Sequence, residues 1–299
     1  MAGPSVEGVP GEGPIVSFLA GTRGKAPSDG TATVPVSVVV ASIALGVIVL
    51  SAVAPGLIAG ASPFETDAAS ALQGPSAQHF FGTDQSGRDV FARVVYGARY
   101  SLLVGLGATA LALVGGLLLG VAAALGPRRV DAVTSRIVDV LMAFPEFLLA
   151  LLVIAIVGTG EASIPIAVAL AALPAYARVA RSETLVVSQA GYVRAARSLG
   201  VHPLAVVWRH IIPNSVGPLL VMATIGVGTA IVTASGLSFL GLGPQPPTPE
   251  WGIILSEGRN FLATAWWIGV FPGLAITTTV ISISTVGRYL RSRSEVTLS

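Results

Sequence analysis

The feature that most constrains this chain is the recurrence of long apolar stretches from which charge is almost absent. Residues 34–57 carry no charged side chain. At about 1.5 Å per helical residue, that run is long enough to cross a hydrocarbon core of about 30 Å. Comparable stretches follow at 100–125, 137–157, 164–179, 214–240 and 267–286. Gly and Pro recur inside them, which spanning helices tolerate better than soluble ones. The pattern predicts an all-α, polytopic transmembrane helix bundle of about six spans, the fourth being the shortest.

Composition agrees. Of 299 residues, 53% are hydrophobic and only 11% charged, against about 25% charged in a soluble domain. There is no cysteine, which excludes disulfides, thiolate metal sites and cysteine nucleophiles. A formal charge of +2 is too small to suggest nucleic acid as a partner. Residues 1–33 are rich in Gly, Pro and Ser and are read as a flexible cytoplasmic tail. A cleaved signal peptide competes with the first span, because Arg23 and Lys25 precede it and Ala59-Gly60-Ala61 resembles a cleavage site. The apolar run, however, exceeds a usual signal core.

Orientation follows from Lys and Arg. With the N-terminus inside, Arg23, Lys25, Arg128, Arg129, Arg136, Arg178, Arg181, Arg194, Arg197, Arg209, Arg288, Arg291 and Arg293 are cytoplasmic. That leaves Arg88, Arg93, Arg99 and Arg259 outside, so thirteen of the 17 basic residues lie on one side. Both termini are then cytoplasmic, residues 58–99 are external, and 180–213 form the largest internal loop. Residues 291–299 make a second cytoplasmic tail.

Within that loop Tyr192, Ala195, Ala196 and Leu199 recur at helical spacing, with Arg194 and Arg197 on the other face. Gly200 falls where a helix end needs positive φ, and Pro203 where a new helix can start without losing a hydrogen bond. Leu204, Val207, Trp208 and Ile211 repeat the spacing; Pro213 is expected to stop this second helix before Asn214 caps the fifth span. Two short amphipathic helices joined at a Gly corner result. By spacing alone they could equally lie on an anionic membrane surface.

The order Ala195-Ala196, Gly200, Ile212-Pro213 resembles the cytoplasmic loop of ABC importer permeases. Other segments narrow the resemblance to the second permease type of the dipeptide and oligopeptide importers. They are Phe81-Gly82-Thr83-Asp84, Gly87-Arg88-Asp89 and Tyr96-Gly97-Ala98-Arg99 before the second span. After the fifth come Leu237-Ser238-Phe239-Leu240-Gly241-Leu242-Gly243, Gln245-Pro246-Pro247-Thr248-Pro249 and Trp251-Gly252, with Phe271-Pro272-Gly273 in the last span. The resemblance implies a type I ABC importer permease fold, residues 100–290 forming the permease core. It implies an inner (cytoplasmic) membrane location among membrane lipid, and a homologous second permease completing a heterodimer. Two cytoplasmic ATP-binding subunits would hold ATP and Mg2+, this chain would bind no cofactor, and a substrate-binding protein would dock outside. The loop, through Tyr192, Arg194, Ala195, Ala196, Arg197, Gly200, Pro203, Leu204, Trp208, Ile212 and Pro213, would couple the ATPases to the spans. Arg194 stands where the family motif often has Glu, and residues 1–33 match nothing in the family.

Two external clusters and one membrane carboxylate remain. Asp84 with Arg88 and Asp89 with Arg93 are each four apart, so on a helix they would pair and steady the entry to the second span. Arg88 and Asp89 are alternatively an outer gate or a binding-protein contact, as are Gln245, Pro246, Pro247 and Trp251 on the rigid Pro-rich segment. Glu146, beside Pro145, either lines the translocation path, where it could receive a peptide's amino terminus, or lies near the inner headgroups.

The chain has no Gly-x-x-x-x-Gly-Lys-Ser/Thr loop, no His-Glu-x-x-His pair among His79, His202 and His210, and no Gly-x-Ser-x-Gly elbow. A transporter subunit is expected rather than an enzyme, and no metal site. The rival classes are a secondary transporter, which would need buried ion-coordinating groups, and an intramembrane enzyme, which would need a catalytic pair. Cargo is open among dipeptides, longer peptides, glutathione, nickel chelates and other small solutes.

Overall fold

A computed structural model describes residues 34–296. The expected tail 1–33 and residues 297–299 lie outside the described residues. The elements, in chain order, are α1 (Val36–Val53), α2 (Val90–Leu125), α3 (Arg128–Met142), α4 (Glu146–Val157) and α5 (Ser163–Ser188). Then follow α6 (Gly191–Ser198), α7 (Pro203–Val206), a π-helical turn (Val207–Ile211), α8 (Ile212–Phe239), α9 (Trp251–Gly258) and α10 (Trp267–Val296). Among the described residues β pairing is limited to one isolated bridge, Thr83 with Asp89.

Among the described residues five helices are long and apolar enough to cross a membrane, and the bent pair of α3 with α4 makes a sixth where the two are counted as one span. The third expected span, 137–157, is this pair, and it is not straight: the axis turns by 103° across Ala143-Phe144-Pro145. Pro145 disfavours helical geometry at Phe144 and cannot donate to the preceding turn, so α3 ends and α4 restarts behind it. The fourth span is longer than expected, because α5 continues past 179 to Ser188 and occupies the start of the expected internal loop. The last helix likewise continues beyond 286 and through part of the expected tail.

The fifth span corrects a second expectation. Pro213 does not stop a helix, and Asn214 does not cap one; the chain stays helical from Pro203 to Phe239. The Ile212 amide reaches back five residues to the Val207 carbonyl, and this widened turn accommodates the Pro213 ring without ending the helix. The Asn214 side-chain amide donates to the His210 carbonyl at 2.7 Å, and the Ser215 hydroxyl to that of Ile211 at 2.9 Å.

α2 is the axis of the bundle. It packs most extensively on α5, and also on α8, α1 and α3. The α5 contact is backbone-close because it is built from small residues: a Cβ on Gly116 would lie 2.4 Å from the Tyr176 Cβ, and one on Gly120 2.5 Å from the Ala180 Cβ. One core layer gathers Ala108 and Ala112 of α2, Leu149 and Ile154 of α4, Val168 of α5 and Leu237 of α8. A second, nearer the start of α2, gathers Val94 and Leu102 with Ile231, Trp251, Ile254 and Ile268.

Gly116→Val and Gly120→Val are therefore expected to lower stability by about 1–3 kcal/mol or more. Gly107→Ala, on the same helix with open space around it, should leave the midpoint unchanged or slightly raised. Thermal unfolding in detergent, followed by tryptophan fluorescence, checks both.

Candidate functional site

Three places along α2 concentrate the chemistry: its first turns, its middle and its end. At about 1.5 Å per residue its 36 residues span about 54 Å, so the first and last of these places are at opposite ends of the bundle.

At the start, Asp89 caps α2 by accepting from the Ala92 amide at 2.8 Å, and its other oxygen meets His79 Nδ1 at 2.9 Å. The expected Asp89–Arg93 pair is therefore absent. Nor is Asp84–Arg88 a helical pair; the two face each other across a tight loop before the helix begins. Asp84 Oδ1 accepts from the Ser86 and Arg88 amides, while Oδ2 accepts from Arg88 Nε at 2.6 Å and Arg93 Nη1 at 2.8 Å. Glu257 of α9 closes the network, binding Arg88 Nη2 at 2.9 Å and Arg93 Nη2 at 2.6 Å. Asp84 and Arg93 are wholly buried. Burial opposes ionisation of Arg88, yet Asp84 and Glu257 hold its guanidinium above the ordinary value. With its polar atoms so engaged, Arg88 braces the loop against α9 and offers no exposed surface.

Trp251 departs from expectation in the same way. Its indole N–H donates to the Val94 carbonyl at 2.8 Å and the residue is buried. Glu250 beside it caps α9, accepting from the amides of Gly252 at 2.9 Å and Ile253 at 3.0 Å. Burial raises its carboxyl above the usual range, opposed by those hydrogen bonds. Gln245, Pro246 and Pro247 are exposed, so this short stretch is the part of the Pro-rich segment free to meet a partner.

At the far end, α6 and α7 form the elbow expected from the Gly corner. Gly200 has φ +76°, the Val201 amide donates to the Ala196 carbonyl and the Gly200 amide to that of Arg197. These are the paired bonds of a Schellman helix end. Pro203 opens α7 as expected. The buried face differs from the expected stripe: Val193 and Ala196 pack with Val206 and Ile211 against Leu125 and Val187. Tyr192, Ala195 and Leu199 point outward, as do Leu204 and Trp208. Leu199 is 83% exposed and Trp208 63%. With Arg194, Arg197 and Arg209 also exposed, the elbow presents an apolar surface edged by cations. Ile212 and Pro213 lie behind it in the first turn of α8.

Midway, Glu146 follows the 103° turn and lines a cavity of about 280 Å³ with Thr109 of α2, Tyr176 of α5, and Met222 and Thr229 of α8. Below it α3 is tied to α5 by Asp131–Arg181, at 2.6 Å, and Asp139–Arg178.

Sequence reasoning missed Glu257, Thr109 and Tyr176. Glu257 lies 169 positions from Arg88 in no recognisable motif; the available signal was that arginines entering a bundle need carboxylates. Thr109 and Tyr176 sit in apolar helices, and only tertiary packing turns them toward one space.

Comparisons with known proteins agree on what this architecture resembles. Residues 116–295 match the family described as binding-protein-dependent transport system inner membrane component. The chain is 43% identical over 243 residues to the dipeptide transport system permease protein DppC of Alkalihalophilus pseudofirmus, covering 81% of this chain and 80% of that one. It is also 43% identical over 219 residues to the glutathione transport system permease protein GsiD of Pectobacterium atrosepticum, covering 73% of each. Its fold is similar to that of a chain in the inward-facing MetNI methionine ABC transporter, with a TM-score of 0.55, 20% identity, and coverage of 67% of this chain and 95% of that one.

Removing Glu257 leaves two arginines buried with one carboxylate between them. Glu257→Ala is expected to cost about 3–5 kcal/mol, whereas Arg259→Ala, which removes an exposed cation from beside the Phe239 ring, should cost about 1 kcal/mol or less. Denaturant or thermal unfolding in detergent distinguishes them.

Proposed function

Because the chain belongs to the family of binding-protein-dependent transport system inner membrane components, we propose that it is one of two permease subunits of an ATP-driven importer of short peptides. The observation that carries the coupling part of this reading is the elbow: an exposed apolar surface on a rigid, Gly-cornered turn that runs directly into two long helices. In this reading the elbow seats in a groove on a cytoplasmic ATPase. Two such subunits hold ATP and Mg2+, and this chain hydrolyses nothing and binds no cofactor itself.

When the ATPases close, the elbow moves. α5, one short turn before it, and α8, continuous with its second helix, carry the displacement into the membrane. The Asp131–Arg181 and Asp139–Arg178 pairs link α5 to α3, so the bent pair bearing Glu146 follows. The path then alternates between faces, its second wall supplied by a homologous permease.

Both termini are cytoplasmic in this arrangement, as the distribution of Lys and Arg supports, and the membrane is the inner one. A substrate-binding protein docks outside at Gln245, Pro246 and Pro247, while Arg88, Asp89 and Trp251 serve the fold rather than that surface. Peptide cargo is supported by the identity with the dipeptide permease. The equal identity with the glutathione permease favours, as a second reading, a tripeptide cargo of that kind.

Leu204→Asp and Trp208→Ala change exposed residues that the fold does not use. Each is expected to reduce recovery of the ATPases on co-purification by about thirtyfold, as loss of an interface anchor would, with unfolding unchanged. Recovery equal to wild type would remove the elbow from the coupling role. Since the chain has no native cysteine, single cysteines at Ser198 and Gln245 test orientation: a membrane-impermeant maleimide applied to intact spheroplasts should label the second and spare the first.

A further inference from the structure

The cavity at Glu146 holds more polar chemistry than its apolar surroundings require. Thr109 is 6% exposed and Tyr176 2%, and neither Thr109 Oγ1 nor Tyr176 Oη has a hydrogen-bond partner. Buried hydroxyls are normally paired, because leaving one unpaired costs about 1–3 kcal/mol. Thr109 could bond back to its own helix, as Thr279 does to the Ala275 carbonyl at 2.7 Å and Thr277 to that of Gly273 at 2.8 Å. Instead it and Tyr176 end unpaired at the wall of the same space that Glu146 enters from α4. The remaining wall is apolar, from Ala108, Val168, Ala172 and Ala230 among others, except for Thr229, whose hydroxyl already donates to the Gly226 carbonyl at 2.9 Å.

We propose that Glu146, Thr109 and Tyr176 form a waypoint for a primary ammonium group of the cargo. An alkylammonium has three N–H donors and no acceptor; one carboxylate and two hydroxyl oxygens supply three acceptors, one of them charged. The acceptors come from α4, α2 and α5, while Tyr176 Oη rests against Gly226 of α8, where even a Cβ would approach to 2.2 Å. Movement of α8 away from α5 uncovers the phenol and completes the set; the reverse movement withdraws it and releases the amine. The site thus binds in one conformation and lets go in the other.

This inference rests on the peptide-importer reading, and the test separates the two. The complex with its partner permease and ATPases is purified without binding protein, and binding of Ala-Ala and N-acetyl-Ala-Ala is measured by equilibrium dialysis. The same complex in vesicles, supplied with its binding protein and internal ATP, is assayed for Ala-Ala uptake. Wild type is expected to bind Ala-Ala about tenfold more tightly than the acetylated peptide, the usual worth of a charge-assisted hydrogen bond. Glu146→Gln should erase that preference and Tyr176→Phe should reduce it. If vesicles import Ala-Ala but Glu146→Gln keeps the preference, or wild type has none, the waypoint is wrong and the importer reading survives. If wild-type vesicles import no Ala-Ala, the peptide reading fails and the waypoint falls with it.

Discussion

The close packing of α2 on α5 is the constraint on which the rest of this protein depends. In a lipid environment apolar side chains gain nothing by leaving solvent, so helices associate through van der Waals contact and interhelical polar bonds. Gly116 and Gly120 let the backbone of α2 approach that of α5 at Tyr176, Ala177 and Ala180. That approach places Thr109 and Tyr176 at one cavity and carries Arg178 and Arg181 to the aspartates of α3. It also brings Leu125, at the end of α2, under the elbow.

The two ends of α2 are fixed by opposite means. Its start is locked by buried ions: Asp84, Arg88, Arg93 and Glu257 exchange hydrogen bonds with almost no water, which makes the network costly to break and therefore rigid. Its end packs closely on α5 at Gly116 and Gly120 and meets the elbow through the few apolar residues of one small cluster. Two proline-associated irregularities interrupt regular α-helix: the broken segment before Pro145, where the axis turns by 103°, and the widened turn before Pro213. One precedes Glu146, and the other joins the elbow to α8.

Much of the elbow was legible because local backbone chemistry governs it. Positive φ at Gly200 and an N–H-free first helical position at Pro203 follow from residue type alone. Its buried face was not legible. Tyr192, Ala195, Ala196 and Leu199 fit helical periodicity, but Val193 and Ala196 are the pair that packs, because the elbow is short and its orientation is set by α2 and α5. Pro213 misled for a related reason: a proline ends an isolated helix, whereas one turn with five-residue hydrogen bonding accommodates it inside a packed bundle. The two ion pairs were expected at a spacing of four on a helix, yet Asp84 to Arg88 is a loop, Asp89 is taken up by the α2 cap and by His79, and Glu257 arrives from far along the chain.

The sequence by itself determined the solvent this chain lives in, the number of apolar segments and the corner at Gly200. These depend on composition and on local backbone geometry, which each stretch of chain carries with it. Tertiary structure alone decided that Arg88 and Trp251 are buried, that Arg93 answers to Asp84 and Glu257, and that Glu146, Thr109 and Tyr176 face one space. Such relations join residues on different helices, and which helix faces meet is settled by how closely backbones can approach, a property of the packed bundle as a whole.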